Sequence, residues 1–347
     1  MRILVTGGMG NVGRPTVQWL LDKGHEVRVL DLECEAPING AECREGSIMD
    51  FAQLHKHMEG MEGVIHLAAY RAPGLAPETE LFSVNVDGTF NIFRAAADAG
   101  IKRVVCASSI NALGYNFGIK FPEGQLRYFP IDEEHPTYTT DPYSFSKLMI
   151  EEIGRYFWRR EGITSLFLRL PGVYDPCASE EITARRKFFW EQSRARTMEV
   201  MNLTEPQRSQ KVKELIASHV AFARARMWEV KVDFKNNPEA REMFMNLAPM
   251  FGRSNFWTLL DARDAAQAAE KGLLAGYEGS HVLYINDDQN SMNLPSRELA
   301  KVWFPDVTTW KRPVSGTETL VSINRARELI GFEVMYHYGQ AEKSGNR

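Results

Sequence analysis

The chain has 347 residues, 44% of them hydrophobic and 25% charged, and a formal net charge of −4. That is the make-up of a globular protein with enough apolar residues for a sizeable core, and its slightly acidic balance argues against a nucleic-acid partner, which requires a basic face. No apolar run approaches a membrane span, and the chain enters a strand-like segment without a secretion signal, so a cytoplasmic location is expected.

Arg2–Thr6 (RILVT) reads as a buried strand, followed at once by glycines. Residues 11–23 place Val12, Val17, Leu20 and Leu21 at helical spacing before Gly24 ends the run. Residues 26–30 (EVRVL) form a second strand finishing at Asp31, and 63–67 and 103–107 two more, with a long helical pattern over 78–100. This alternation predicts a doubly wound parallel sheet covered by helices. Residues 111–141 are rich in Gly, Pro and aromatics. They predict a structured loop, because Tyr115, Phe117, Phe121, Tyr128 and Phe129 are costly to leave in water. Pro142 opens a helix to about Glu161, and residues 164–170 form a strand stopped by Pro171-Gly172. Residues 178–255 are charged, Met-rich and helical in pattern; acids interleave their many Arg and Lys residues, which favours a solvated face over an anion-binding one. From Trp257 the α/β style returns, with helices at 262–275 and 296–303 and a strand at 281–286. The expected organisation is a nucleotide-binding domain over 1–176, a helical insert over 177–256 acting as a lid or oligomer contact, and substrate-lobe elements over 257–347. Cys34, Cys43, Cys106 and Cys177 show neither C-x-x-C pairing nor zinc-like spacing, so four reduced thiols and no metal site are expected.

After the first strand the chain reads Thr6-Gly7-Gly8-Met9-Gly10-Asn11-Val12-Gly13. A tight turn must leave the strand, the backbone must approach a pyrophosphate, and a helix must begin with N–H groups facing it. Glycine meets the first two demands without a clash. Asp31, ending the second strand, can accept both ribose hydroxyls of NAD and would repel the 2′-phosphate of NADP. NAD is therefore favoured, although Arg14 could pair with that phosphate.

Tyr143 and Lys147 stand four apart on a predicted helix and project from one face. A phenol with a pKa near 10 is a poor proton donor or acceptor at neutral pH, and an adjacent ammonium is expected to lower it. The combination T-G-x-x-G-x-x-G, an acid after the second strand and Y-x-x-x-K resembles the extended short-chain dehydrogenase/reductase family, which includes nucleotide-sugar epimerases and dehydratases. The resemblance implies cofactor contacts at Gly7, Gly10, Asn11, Val12 and Gly13. It adds the pair Ser47-Ile48 beside adenine, the segment Leu67-Ala68-Ala69 and the supporting Asn85. It also implies Ser108, Pro171 and Val173 near the cofactor, Ser109 as the catalytic hydroxyl beside Tyr143 and Lys147 with Ser108 as the nearby alternative, and a homodimer.

Sugar 4,6-dehydratases resemble Thr-Asp-Glu where this chain has Ser109-Ile110-Asn111, so the acid and base for water elimination are missing. The segment Asp175-Pro176-Cys177 departs from the more usual Gly-Pro of nucleotide-sugar enzymes. The expectation is an NAD-dependent oxidoreductase acting on a sugar, sugar acid or similar small secondary alcohol. A nucleotide-sugar epimerase is the alternative, and an inactive NAD(H) sensor the third reading. Candidate substrate contacts are Asn111, Tyr115, Tyr174, Arg185, Arg186 and Trp257.

Overall fold

The computed structural model describes residues 1–115, 117, 126–227 and 236–339, without the side chains of Arg185, Arg186 and Ala240. The chain begins with β1 (Arg2–Thr6), α1 (Gly13–Asp22), β2 (Glu26–Asp31), β3 (Glu42–Glu45), α2 (Phe51–Met58) and β4 (Gly63–His66). It continues through α3 (Glu78–Asp98), β5 (Arg103–Ser109), a 3₁₀ turn (Ile110–Leu113), α4 (Pro142–Glu161), β6 (Thr164–Leu170) and β7 (Gly172–Tyr174). Four helices follow: α5 (Glu180–Met201), α6 (Glu205–Arg224), α7 (Pro238–Asn246) and α8 (Ala248–Ser254). The chain then forms β8 (Leu259–Asp261), α9 (Ala262–Leu274), β9 (Ser280–Tyr284), α10 (Ser296–Trp303) and α11 (Asn324–Ile330).

A strand inside a parallel sheet is covered on both faces, so it must be apolar on both. β1 meets that demand: Ile3 and Val5 enter the core beneath α1 and α9, and Leu4 enters the one beneath α2, α3 and α4. The seven strands run in the order β3-β2-β1-β4-β5-β6-β9, every pair parallel. The order reverses between β1 and β4, and at such a point the loops leaving neighbouring strands diverge and open a crevice at their carboxyl ends.

The short β3 and β7/β8 carry no visible pattern in the sequence. β3 is a polar edge strand, and β7 and β8 are three-residue strands pairing with each other in parallel outside the main sheet. The α5–α8 region is more than a solvated face. Val212, Leu215 and Phe222 of α6 and Met250 and Phe251 of α8 enter one core with Phe129, Phe256, Trp303 and Phe304. That core also collects Phe129 and Ile131 from the expected aromatic loop; Phe121 lies outside the described residues.

The expectation of four free thiols is corrected: Cys34 and Cys43 form a disulfide, their Cα atoms 6.1 Å apart. Parallel pairing of β2 with β3 brings the segment just past β2 beside Cys43, a proximity that local spacing cannot reveal. Cys106 is a buried thiol in β5 and Cys177 an exposed one. Among the described residues, no helix is long and apolar enough to cross a membrane.

Candidate active site

A cavity of about 1280 Å³ opens at the β1/β4 crevice and runs from Asp31 at one end to Tyr143 and helices α5 and α7 at the other. Its floor is the glycine turn. Gly7 adopts φ +69°, and a Cβ there would lie 2.6 Å from the Ala68 nitrogen. A Cβ on Gly13 would lie 2.1 Å from the Gly7 carbonyl oxygen. The turn thus folds against itself and against the chain leaving β4, and Gly10, Asn11, Val12 and Gly13 present the start of α1 to the cavity. Asp31 is held in place: Met9 N–H donates to its Oδ2 at 2.9 Å and Leu32 N–H to its Oδ1 at 2.8 Å. Each carboxylate oxygen keeps a lone pair for a ribose hydroxyl. Arg14 turns its guanidinium onto the Glu35 and Ala36 carbonyl oxygens at 3.1 Å. A dinucleotide fits this trough, since a close backbone cradle, a helix N-terminus and an oriented acid stand in the sequence its phosphates and ribose require.

Ser47, Ile48, Leu67, Ala68, Ala69, Ser108, Pro171 and Val173 all line the same cavity. Asn85 stands one layer behind. It is buried, accepts from Tyr70 N–H at 2.8 Å, and donates to the Tyr70 carbonyl at 3.1 Å and to Ser146 Oγ at 3.0 Å, tying the loop after β4 to α4. His66 bridges Thr6 Oγ1 at 2.7 Å and Thr89 Oγ1 at 3.1 Å, and burial pushes its pKa down to about 3. It is a neutral structural tie.

Asp141 caps α4 by accepting Ser144 N–H at 2.8 Å, with Pro142 in the first turn. Tyr143, Lys147 and Glu151 then follow along the buried face of that helix. Ser109, at the end of β5, accepts Asn111 N–H at 3.1 Å, and its hydroxyl lies near enough to Tyr143 to favour the ionised phenol. Ser108 faces the other way and donates to Glu151 Oε1 at 2.8 Å. Glu151 in turn receives Arg169 through Nε at 2.9 Å and Nη2 at 2.8 Å, while Arg169 Nη1 donates to the Tyr284 hydroxyl at 3.1 Å. This buried, bidentate network locks α4 onto β5, β6 and β9 directly behind Tyr143 and Lys147.

Burial pushes Tyr143 up to about 12; the Ser109 hydroxyl and the Arg71 charge oppose that rise, and Asp141 adds to it. Burial lowers Lys147 to about 8, and its Nζ donates to the Ala107 carbonyl at 2.9 Å. The expected lowering of Tyr143 by Lys147 is therefore not what the geometry delivers. Desolvation of the phenolate outweighs the rest, and the cation acting on Tyr143 is Arg71.

Of the expected substrate contacts, Asn111 and Tyr174 line the cavity. Tyr115 instead stacks on Phe256, ring centroids 5.2 Å apart, and Trp257 is buried in the same aromatic core. Arg185 and Arg186 fall in α5 with side chains outside the described residues. Sequence reading missed Arg71, Phe189, Trp190, Phe244 and Asn255, all of which line the cavity. Only Arg71 had a signal, as the continuation of the segment 67–69. Asp287, Asp288 and His337 bring ligand atoms within 4.8 Å of one another. Their oxygens are already engaged: Asp287 accepts from Gln289 N–H, Tyr338 N–H and His337, and Asp288 pairs with Arg327. The cluster fastens the C-terminal segment.

Residues 3–209 match the model of the NAD dependent epimerase/dehydratase family. A uronate dehydrogenase of Pseudomonas syringae pv. tomato is 27% identical over 172 residues, covering 49% of this chain and 58% of that one. A UDP-glucose 4-epimerase of Haemophilus influenzae is 36% identical over 171 residues, covering 45% and 48%. The chain thus spans about half the length of the curated relatives it matches. Among solved structures, a short-chain dehydrogenase/reductase superfamily protein from Agrobacterium tumefaciens with bound NAD superposes with a TM-score of 0.61 at 22% identity, over 97% of this chain and 93% of that one. At that identity the likeness concerns the fold.

Proposed function

Because the chain belongs to the NAD dependent epimerase/dehydratase family, we propose that it is an NAD-dependent oxidoreductase acting on a secondary alcohol of a sugar or sugar acid. The observation that carries this reading is the Ser109–Tyr143 hydroxyl pair, buried beside Lys147 where the glycine-floored cavity meets its aromatic end. When bound, NAD supplies the hydride acceptor or donor. Gly7, Gly10 and Gly13 would receive its pyrophosphate and Asp31 its adenosine ribose, which supports NAD over NADP. Ser109 orients the substrate hydroxyl toward Tyr143, and Tyr143 exchanges the hydroxyl proton as general acid/base. Lys147 is held by the Ala107 carbonyl, where its charge faces the site from the floor. Phe189 and Trp190 of α5 and Phe244 of α7 wall the substrate end, which supports a lid role for the helical insert.

Purified protein incubated with NAD and a panel of hexoses, pentoses, hexuronates and UDP-hexoses, followed by reduced-nicotinamide absorbance, tests this reading. Sustained accumulation with a free sugar or sugar acid is the expected result, and Tyr143→Phe is expected to lower turnover by about 100- to 10 000-fold while NAD binding persists. No accumulation with any member, or near-normal turnover by Tyr143→Phe, refutes it. The second reading is a nucleotide-sugar epimerase, favoured by the relative of that name from Haemophilus influenzae; isomer exchange of a UDP-hexose without net accumulation would select it. The stacked Phe82 and Phe145, joining α3 to α4 with Phe145 exposed, support a homodimer closed through those helices.

A further inference from the structure

The charges lining the cavity are sorted by end. Its acids, Asp31, Glu33 and Glu35, all cluster at and just past the end of β2. Its cations, Arg71 and Lys147, stand at the opposite end with Tyr143. Lys147 is committed to the Ala107 carbonyl. Arg71 forms no ion pair or hydrogen bond among the described residues, and its side chain is exposed to the cavity.

Arg71 is nevertheless placed with care. Both the N–H and the carbonyl of its neighbour Tyr70 are pinned by buried Asn85, which also bonds Ser146 on α4, and the Tyr70 hydroxyl donates to Glu80 at 2.6 Å. The backbone entering Arg71 is thus fixed to the helix that carries Tyr143. From there the guanidinium brings a planar fork of donors to the Tyr143 end of the cavity. A neutral substrate would leave that fork facing only water, whereas a carboxylate fills it with paired hydrogen bonds.

We propose that Arg71 is the carboxylate-binding residue of the substrate site, and that the substrate is a small hydroxy-carbonyl compound bearing one carboxylate, such as a hexuronate. The claim rests on the oxidoreductase reading for the reaction, but the anion site stands on its own geometry. Charge balance selects a carboxylate over a diphosphate. One uncommitted guanidinium among the described lining residues matches one negative charge, and the diphosphate of a nucleotide sugar carries two. The Asn111 side chain, also lining this end, is available to the sugar hydroxyls. The Arg71 charge also reaches the Tyr143 hydroxyl and eases its ionisation.

The test compares kcat/KM for matched sets with NAD: hexuronates, the neutral hexoses of the same configuration, the hexose 6-phosphates and the UDP-hexoses. Arg71→Met and Arg71→Lys are measured beside the unaltered protein. The hexuronate should exceed its neutral twin on the order of ten- to a hundredfold, the contribution of a charge-assisted hydrogen-bonded pair. That ratio should fall toward one in Arg71→Met and be intermediate in Arg71→Lys. A preference for the neutral hexose, the phosphate or the UDP-hexose, or a ratio unchanged in Arg71→Met, overturns the inference while leaving the oxidoreductase reading intact. If nothing is oxidised, the oxidoreductase reading fails and calorimetric binding to the NADH-saturated protein decides. Hexuronate binding that Arg71→Met abolishes sustains the site; equal binding of acid and neutral sugar, or no binding, overturns it.

Discussion

Lys147 is held in the folded protein at a measurable thermodynamic cost, and replacing it with methionine should reveal how large that cost is. Its side chain is buried, and burial lowers its pKa from 10.5 to about 8. A lysine whose folded pKa lies below its unfolded value destabilises the fold wherever it is charged in both states. The penalty is therefore complete below about pH 8 and disappears as pH rises toward 10.5, because the unfolded chain then also loses the proton. At about 1.4 kcal/mol per pKa unit the penalty is about 3 kcal/mol. Methionine removes the charge at similar length but also removes the bond to the Ala107 carbonyl, a loss of about 1 kcal/mol. Cofactor-free Lys147→Met should therefore be about 2 kcal/mol more stable than the unaltered protein at pH 7, and lose that advantage by pH 10.5. Urea unfolding of both proteins at the two pH values measures the difference. A variant no more stable at pH 7, or a gap independent of pH, would refute the argument that desolvation dominates at this lysine. Turnover should be lost in either case.

Glu151→Ala strands buried Arg169 and should cost about 3–5 kcal/mol, whereas Glu151→Met combined with Arg169→Met should recover most of it; equal losses in urea titrations would show that the pair is not the cause. Asp31→Ala should weaken NAD by about tenfold and NADP by less, as read by cofactor titration; an unchanged ratio would remove Asp31 from the ribose site. Gly13→Ala drives a Cβ into the Gly7 carbonyl and should lower NAD affinity by about tenfold or more. Gly276→Ala, where a Cβ meets nothing within 4 Å, should not. Equal affinity in these two variants would show that the turn gives way freely.

Much of the fold was legible because a parallel sheet writes itself into contiguous segments. Pro142–Glu161, Thr164–Leu170 and Ser296–Trp303 stand where proline, apolar runs and helical spacing put them. β3 escaped because a polar edge strand needs no apolar pattern, and β7 and β8 because three residues hold no period. The disulfide escaped because its partners meet only once β2 and β3 pair.

The same division runs through the site. The glycine turn, Asp31 and the Tyr143/Lys147 pair are local: each depends on one turn, one strand end or one helical repeat, and so could be read from a few neighbouring residues. The state of Tyr143, the Glu151–Arg169 network behind it, and the cavity end lined by Arg71, Phe189, Trp190 and Phe244 could not. Those residues come from segments far apart in the chain, and what they do depends on which of them packing buries, pairs or leaves facing the cavity. Local steric and hydrogen-bonding demands determine the first group, whereas desolvation and long-range packing exist only in the folded molecule and decide the second.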